Sequence, residues 1–341
     1  MSTRENQRWI YCQRPSGEVN ESHYRLETVP LDSDLAANEV LIENHYISVD
    51  PYMRIQQSAK PNWEEPHPLN TLQRGAVVGR VVASRNAAFS DGDWVSAYTG
   101  WERYSRVHIS AATKLDPQLA PVTTALGVLG MPGRTAWFGL MEAGQPRPGD
   151  TLLVSGAAGA VGSLVVQFGK KAGCRVVAFA GSDEKCEWLS DELGADSAIN
   201  YRRFNGAAEL DAFFKAERIR ADIYFDNVGG TITDAVIPNI NRRARIVICG
   251  QISQYSGNLD EVENGPRFLH HMLYQRACVQ GILARDFNYR MDEMLAVVGP
   301  WVGNGEIRYR ETIVDGFERL PAALSGLFHG DNTGKMIVRV N

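Results

Sequence analysis

Three textures follow one another along the chain. Up to about residue 127, short apolar runs such as Glu39-Val40-Leu41-Ile42-Glu43-Asn44 and Ala76-Val77-Val78-Gly79-Arg80-Val81-Val82 are separated by Pro, Gly and Asn. That is the pattern of strands joined by turns. Asp91-Gly92-Asp93 is a strong turn signal ahead of another strand at 94–98. From Gly149-Asp150 the runs become almost continuously apolar, and strands are expected at 151–155, 175–180, 221–226 and 244–250. Between the first two, Val161, Leu164, Val165, Phe168 and Ala172 fall on one helical face, with Gly173 as the stop. A further helix is expected over 182–193. Apolar strands alternating with helices imply a parallel sheet covered on both faces. Near the C-terminus, Lys335-Met336-Ile337-Val338-Arg339-Val340 reads as a strand able to return to the first module. The expected fold class is α/β: a β domain of residues 1–127, completed by 303–341, split around an inserted doubly wound domain of residues 128–302.

Composition narrows the function. At 341 residues the chain suits two domains, and 44% hydrophobic with 22% charged residues is ordinary for a globular protein. A net charge of -5 argues against nucleic acid, which demands a concentrated basic surface. No apolar run is long enough to cross a bilayer, and the polar start Met1-Ser2-Thr3-Arg4-Glu5 lacks a signal-peptide core. A cytoplasmic protein is expected. The five cysteines, at 12, 174, 186, 249 and 278, are scattered and suit free thiols. The adjacent pair His270-His271 has no Cys or carboxylate at metal-ligand spacing, so no metal is expected.

The loop after the first buried strand reads Gly156-Ala157-Ala158-Gly159-Ala160-Val161-Gly162. In a dinucleotide fingerprint, glycines permit a tight turn, close approach of the pyrophosphate, and close packing of helix on strand. Ala157 stands at the first glycine position here, while Gly159 and Gly162 keep the others. The strand–loop–helix–strand context supports the match over a mere packing turn. At the end of the second strand, Ala180-Gly181-Ser182 offers no carboxylate for the adenosine ribose, and Lys185 can reach a 2′-phosphate. NADPH is the expected cofactor. Asp183 is near enough to oppose this reading, although it also suits the first turn of a helix.

These residues resemble the medium-chain dehydrogenase/reductase superfamily, in its zinc-independent prostaglandin reductase and alkenal double-bond reductase branch, including bacterial curcumin-reductase-type members. The resemblance runs through an ordered series of blocks. The first are Ser48-Val49-Asp50-Pro51-Tyr52-Met53-Arg54, Leu129-Gly130-Met131-Pro132-Gly133-Arg134-Thr135-Ala136 and the glycine loop. Ala180-Gly181-Ser182-Asp183-Glu184-Lys185, Phe225-Asp226-Asn227-Val228-Gly229-Gly230, Cys249-Gly250-Gln251-Ile252-Ser253-Gln254-Tyr255 and Asn332-Thr333-Gly334-Lys335 follow. The resemblance implies a GroES-like β domain and a Rossmann domain flanking a cleft. It implies a pyrophosphate site at Ala158, Gly159, Ala160 and Val161, and 2′-phosphate contacts from Lys185 and Tyr201. Asn227 and the stretch containing Cys249, Gly250, Ile252, Ser253 and Tyr255 would line the nicotinamide side. Ile282 and Leu283, on a short strand at 281–284, would pass the carboxamide, and Asn332 would reach the cofactor from the returning segment. Where zinc members carry Gly-His-Glu, this chain has Gly75-Ala76-Val77. A homodimer is a family expectation.

Without a metal, a carbonyl oxygen that turns negative as hydride reaches the β-carbon needs a hydrogen-bond donor. A phenol, neutral at pH 7, fits that task, and Tyr52 and Tyr255 are the candidates. Each residue has a plainer alternative. Tyr52 packs beneath its turn, Tyr255 shapes a lid, or a ribose hydroxyl relays the proton. Tyr201 packs on adenine, Lys185 is a solvated surface lysine, and Asn227 caps a helix. Arg54 reads as a structural ion-pair partner, Trp101, Trp137 and Trp301 as core or interface, and Cys249 as a packing residue. The expected activity is NADPH-dependent reduction of the double bond of small-molecule enones and enals. The rival readings are a zinc-free quinone reductase and a protein that binds NADPH without turnover.

Overall fold

The computed structural model describes residues 4–257, 259, 261 and 264–340. Two units emerge. One runs to Gly127 and takes in Tyr255–Glu261 and the chain from Glu311; the other comprises Val128–Gln254 and the chain beyond Glu261 as far as Arg310.

The first unit is built on antiparallel pairing. Strand β1 (Glu5–Tyr11) lies between β2 (Tyr24–Pro30) and, after the long strand β3 (Glu39–Ser48) and the short helix α1 (Tyr52–Gln56), β4 (Thr71–Leu72). Strands β5 (Ala76–Ser84), β6 (Trp94–Tyr98), β7 (Tyr104–His108) and β8 (Ala112–Leu115) follow. Strand β3 pairs with β7 as far as Glu43 and continues through Asn44-His45 along β5, with a register shift between Asn44 and Tyr46. Asn44, fully buried there, donates to Glu102 O and Ser105 Oγ, both at 2.8 Å.

The second unit opens with α2 (Met131–Phe138) and then lays down β9 (Thr151–Val154), α3 (Gly162–Lys171), β10 (Arg175–Ala180) and α4 (Asp183–Glu187). Next come β11 (Ser197–Asn200), α5 (Ala207–Ala216), β12 (Ala221–Asp226), α6 (Gly230–Val236) and β13 (Ile240–Ile248). The short helix α7 (Ile252–Tyr255) carries the chain out of this unit, and α8 (Leu269–Gln275), β14 (Cys278–Gly281) and α9 (Met291–Gly303) lie in it again. The six strands form one parallel sheet in the order β11-β10-β9-β12-β13-β14. Leu152 and Val154 pack with Leu164 and Phe168 in one core, while Leu153 packs with Val177, Phe179 and Phe214 in another. Successive strand residues therefore bury on opposite faces, which explains their unbroken apolar runs.

The helix expected over 182–193 is present: α4, capped by Ser182, is continued by a wider π-type turn at Trp188–Glu192 that ends at Leu193. One expectation is corrected. The strand expected at 281–284 ends at Gly281, because its partner β13 ends at Ile248 opposite it; Ile282 N still donates to Ile248 O at 3.1 Å, and Leu283 lies beyond the ladder.

The chain then completes the first unit with β15 (Glu311–Asp315), α10 (Leu320–His329) and β16 (Lys335–Arg339). Strand β16 pairs antiparallel with β3, as the C-terminal apolar run suggested, in a seven-stranded sheet ordered β15-β16-β3-β5-β6-β8 with β7 on β3. No helix among the described residues is long and apolar enough to cross a membrane.

Candidate active site

The carboxyl ends of the parallel strands gather most of the candidate residues. After β9, Gly156 takes the left-handed conformation, φ +58°, which favours glycine. The tight turn is thus made one residue before the position given to Ala157, which is itself buried, its amide on Phe179 O at 2.9 Å. A Cβ on Gly162 would lie 2.4 Å from Gly156 O and 2.7 Å from Ala157 Cα, so only glycine fits where α3 meets the loop. Ala158, Gly159, Ala160 and Val161 lead into α3, and Val161 at its N-cap supplies no side-chain cap. Backbone amides at that end carry the positive pole of the helix. This donor set fits a pyrophosphate.

Strand β11 runs beside β10, with Ala180 opposite Asn200, so the residues after each strand are neighbours. A Cβ on Gly181 would lie 3.2 Å from Arg202 Nε and 3.3 Å from the Tyr201 hydroxyl. Half-buried Lys185 is on the first turn of α4, its amide donating to Ser182 Oγ at 3.3 Å. Asp183, the residue that argued for NADH, pairs with Arg203 Nη2 at 2.8 Å and accepts from Asn200 Nδ2 at 2.7 Å. The Arg203 hydrogen bond holds its carboxyl below the usual range. Sequence reasoning missed Arg202 and Arg203. Their signal was two adjacent cations directly after a strand, readable only once β11 is known to flank β10.

Asp226 organises the next two loops. Fully buried, its Oδ1 accepts from Ser155 Oγ at 2.8 Å, Tyr224 OH and Gly229 N at 2.9 Å and Val228 N at 3.0 Å; Oδ2 accepts from Thr233 Oγ1 at 2.7 Å. Its main-chain oxygen receives the amides of Cys249 and Gly250. Ile252 N donates to Asn227 O at 3.2 Å and Ser253 N to Val228 O at 3.0 Å. Asn227 does not cap α6, whose N-cap is Gly229; its Nδ2 donates to Ser155 O at 2.7 Å. These residues thus lock the ends of β9, β12 and β13 together. Burial, with the Asp226 charge nearby, pushes the Cys249 thiol up to about 12, so it is neutral at physiological pH. Ile282 packs against Gly139, where an added Cβ would come within 2.4 Å of Ile282 Cδ1.

In the first unit, Tyr52 opens α1. Desolvation, then the Asp50 charge and the Tyr98 hydroxyl, raises its phenol well above the usual value. Asp50 is held by Ser48 Oγ and by Lys335 Nζ at 3.1 Å. Lys335 also donates to Val49 O and Met336 O, both at 2.7 Å, which accounts for a lysine only 3% exposed. Asn332 Nδ2 donates to Gly334 O at 2.7 Å within its own turn. Tyr255, the other candidate donor, groups with this unit. Arg54 donates to main-chain oxygens of Pro15, Gly17 and Gly257. Trp101 is core, and Trp137 packs edge-on against Phe168 and Trp301.

A parallel sheet of this order, with a glycine loop opening on an uncapped helix, defines the dinucleotide-binding class of α/β fold. Comparison with known proteins narrows it. The family model for the N-terminal domain of oxidoreductase matches residues 7–115, and the zinc-binding dehydrogenase model matches residues 160–299. The chain is 39% identical to the NADPH-dependent curcumin reductase of Escherichia coli (strain K12) over 343 residues, covering 98% of this chain and 97% of that one. It is 38% identical to the 2-alkenal reductase (NADP(+)-dependent) of Nicotiana tabacum over 331 residues, 96% of this chain and 95% of the relative. The crystal structure of CurA in complex with NADPH from Vibrio vulnificus superposes with a TM-score of 0.89 at 40% identity, covering 98% of this chain and 99% of that one. The chain belongs to the medium-chain dehydrogenase/reductase superfamily, in its prostaglandin reductase and alkenal double-bond reductase branch. Although one model's description names zinc, no group of three or more His, Cys, Asp or Glu among the described residues is arranged to hold a metal ion.

Proposed function

We propose that this protein is an NADPH-dependent reductase of the carbon–carbon double bond of α,β-unsaturated ketones and aldehydes. The observation that carries the cofactor half is the surroundings of Gly181: a phenol hydroxyl and a guanidinium within 3.3 Å of its missing side chain, Lys185 on the adjoining turn, and the Asp183 carboxylate paired with Arg203. Such a cluster favours a 2′-phosphate over a ribose diol. The substrate half is supported by relatives named for reducing curcumin and 2-alkenals.

The pyrophosphate is held by the amides from Ala158 to Val161 at the start of α3, and the 2′-phosphate by Lys185 and Tyr201. Bound NADPH supplies the hydride. As the substrate oxygen gains negative charge, Tyr255 or Tyr52 donates a hydrogen bond to it, an interaction worth about 3 kcal/mol in comparable sites. Burial, which raises the pKa of the Tyr52 phenol, keeps it a neutral donor through physiological pH. The Asp50–Lys335 pair fixes the turn that carries it. The Asp226 network, on the other unit, keeps the loops after β9, β12 and β13 in one arrangement.

We also propose a homodimer. Strand β14 is a sheet edge whose residues are all exposed, and α8, which packs on β13, leaves Leu269, Leu273 and Tyr274 uncovered. Light scattering at micromolar concentration tests this, with a monomer as the contrary result.

The activity is tested with a panel of enals, enones and quinones, each with NADPH and NADH. Saturated carbonyl products formed faster with NADPH support the proposal. Turnover of quinones alone favours a quinone reductase, and cofactor binding without any turnover favours a binding protein.

A further inference from the structure

Arg54 is 1% exposed. Burying a guanidinium is costly, and a Leu or Met would fill the same space without that penalty. What Arg54 does with its charge is therefore informative. Its Nη2 donates to Gly257 O at 3.0 Å and Gly17 O at 3.1 Å, with Pro15 O at 3.4 Å. These oxygens belong to two segments outside regular structure, and they are adjacent: a Cβ on Gly17 would lie 3.9 Å from Ser256 O. The helix that carries Arg54 is itself anchored. Arg14 Nη1 donates to Gln57 O at 3.2 Å and Ser58 O at 2.8 Å, and the Gln57 side chain donates to the Tyr24 hydroxyl at 2.6 Å. A fixed helix thus holds, through one buried cation, the main chain two residues beyond Tyr255.

We propose that Arg54 is a positioning residue for Tyr255, setting where the candidate donor phenol stands by clamping Gly257 against the 15–17 turn. Tyr52, two residues before Arg54 on α1, shares the same anchor. The role of Tyr255 as donor rests on the function proposed above; the clamp on the 255–257 main chain does not.

The test uses the full chain with Arg54→Met, and with Arg54→Lys, which keeps the buried charge if the first variant folds poorly. Amide hydrogen exchange is followed at Ser256 and Gly257. Loss of the clamp is expected to speed exchange there by about tenfold or more while amides of β9 and β12 are unchanged. Turnover of a simple enone should fall about tenfold with the NADPH Kd held within about twofold. In a Tyr255→Phe background the same Arg54 change should cost less than about twofold in kcat, because the group it positions is gone. Unchanged exchange at Ser256 and Gly257 would overturn the clamp. Equal kcat losses in both backgrounds would overturn the route through Tyr255. If Tyr255→Phe alone leaves the rate intact, the donor assignment fails, and the exchange result still decides whether Arg54 holds the segment.

Discussion

Arg203 closes on the Asp183 carboxylate at 2.8 Å, and that pair occupies an acidic group that could otherwise greet a ribose diol at the end of β10. Freeing the carboxylate should shift cofactor choice. Arg203→Ala is expected to lower the NADPH-to-NADH ratio of kcat/KM by about fivefold or more, since the released charge repels a phosphate and accepts from a diol. Measured ratios with both cofactors check this; an unchanged ratio would mean that Asp183 is too far from the ribose to matter.

The cations around Gly181 should act in the opposite sense. Lys185→Ala and Arg202→Ala are each expected to weaken NADPH binding by about tenfold and NADH binding by less than about twofold, because only the phosphate is lost as a partner. Fluorescence titration with the two cofactors measures both. Equal losses would point to a structural effect on α4 or on the turn after β11.

The two phenols are separable by turnover. Tyr255→Phe should lower kcat roughly a hundredfold with little change in cofactor affinity if it is the oxyanion donor. Tyr52→Phe serves as the parallel test, and whichever variant keeps its full rate is excluded as the donor.

Alkaline stability follows from buried tyrosines. Burial pushes Tyr11 up to about 12 and raises Tyr24, Tyr52 and Tyr224 further. Below pH 10 these phenols are protonated in both folded and unfolded chains and contribute no slope. Above it the unfolded chain releases protons that the folded chain keeps, so stability falls by up to about 1.4 kcal/mol per pH unit for each such tyrosine. Thermal unfolding from about pH 8 to about pH 12 should show a Tm that is lost beyond pH 10; a flat Tm across that range would show these phenols ionise as freely folded as unfolded.

Much of the parallel sheet was legible because its strands bury both faces: β10 and β12 lie where their apolar runs lie. The start of β13 was not, since Asn241-Arg242-Arg243 breaks the apolar pattern, Arg242 and Arg243 are exposed, and Arg243 has φ +64°. The end of β14 was hidden because it is set by where the partner strand β13 ends. In the candidate site, the glycine loop and Lys185 carry local signals. Arg202, Arg203 and the Arg54 clamp depend on neighbours far away in sequence, such as Gly257, which no local pattern reveals.

The most direct measurement follows the hydride itself. Incubation of the protein with a simple enone and NADPH deuterated at the transferring C4 position should yield the saturated ketone, with one deuterium at the β-carbon and a solvent proton at the α-carbon. An allylic alcohol with deuterium on the carbinol carbon, or an enone recovered unchanged, would contradict the assignment.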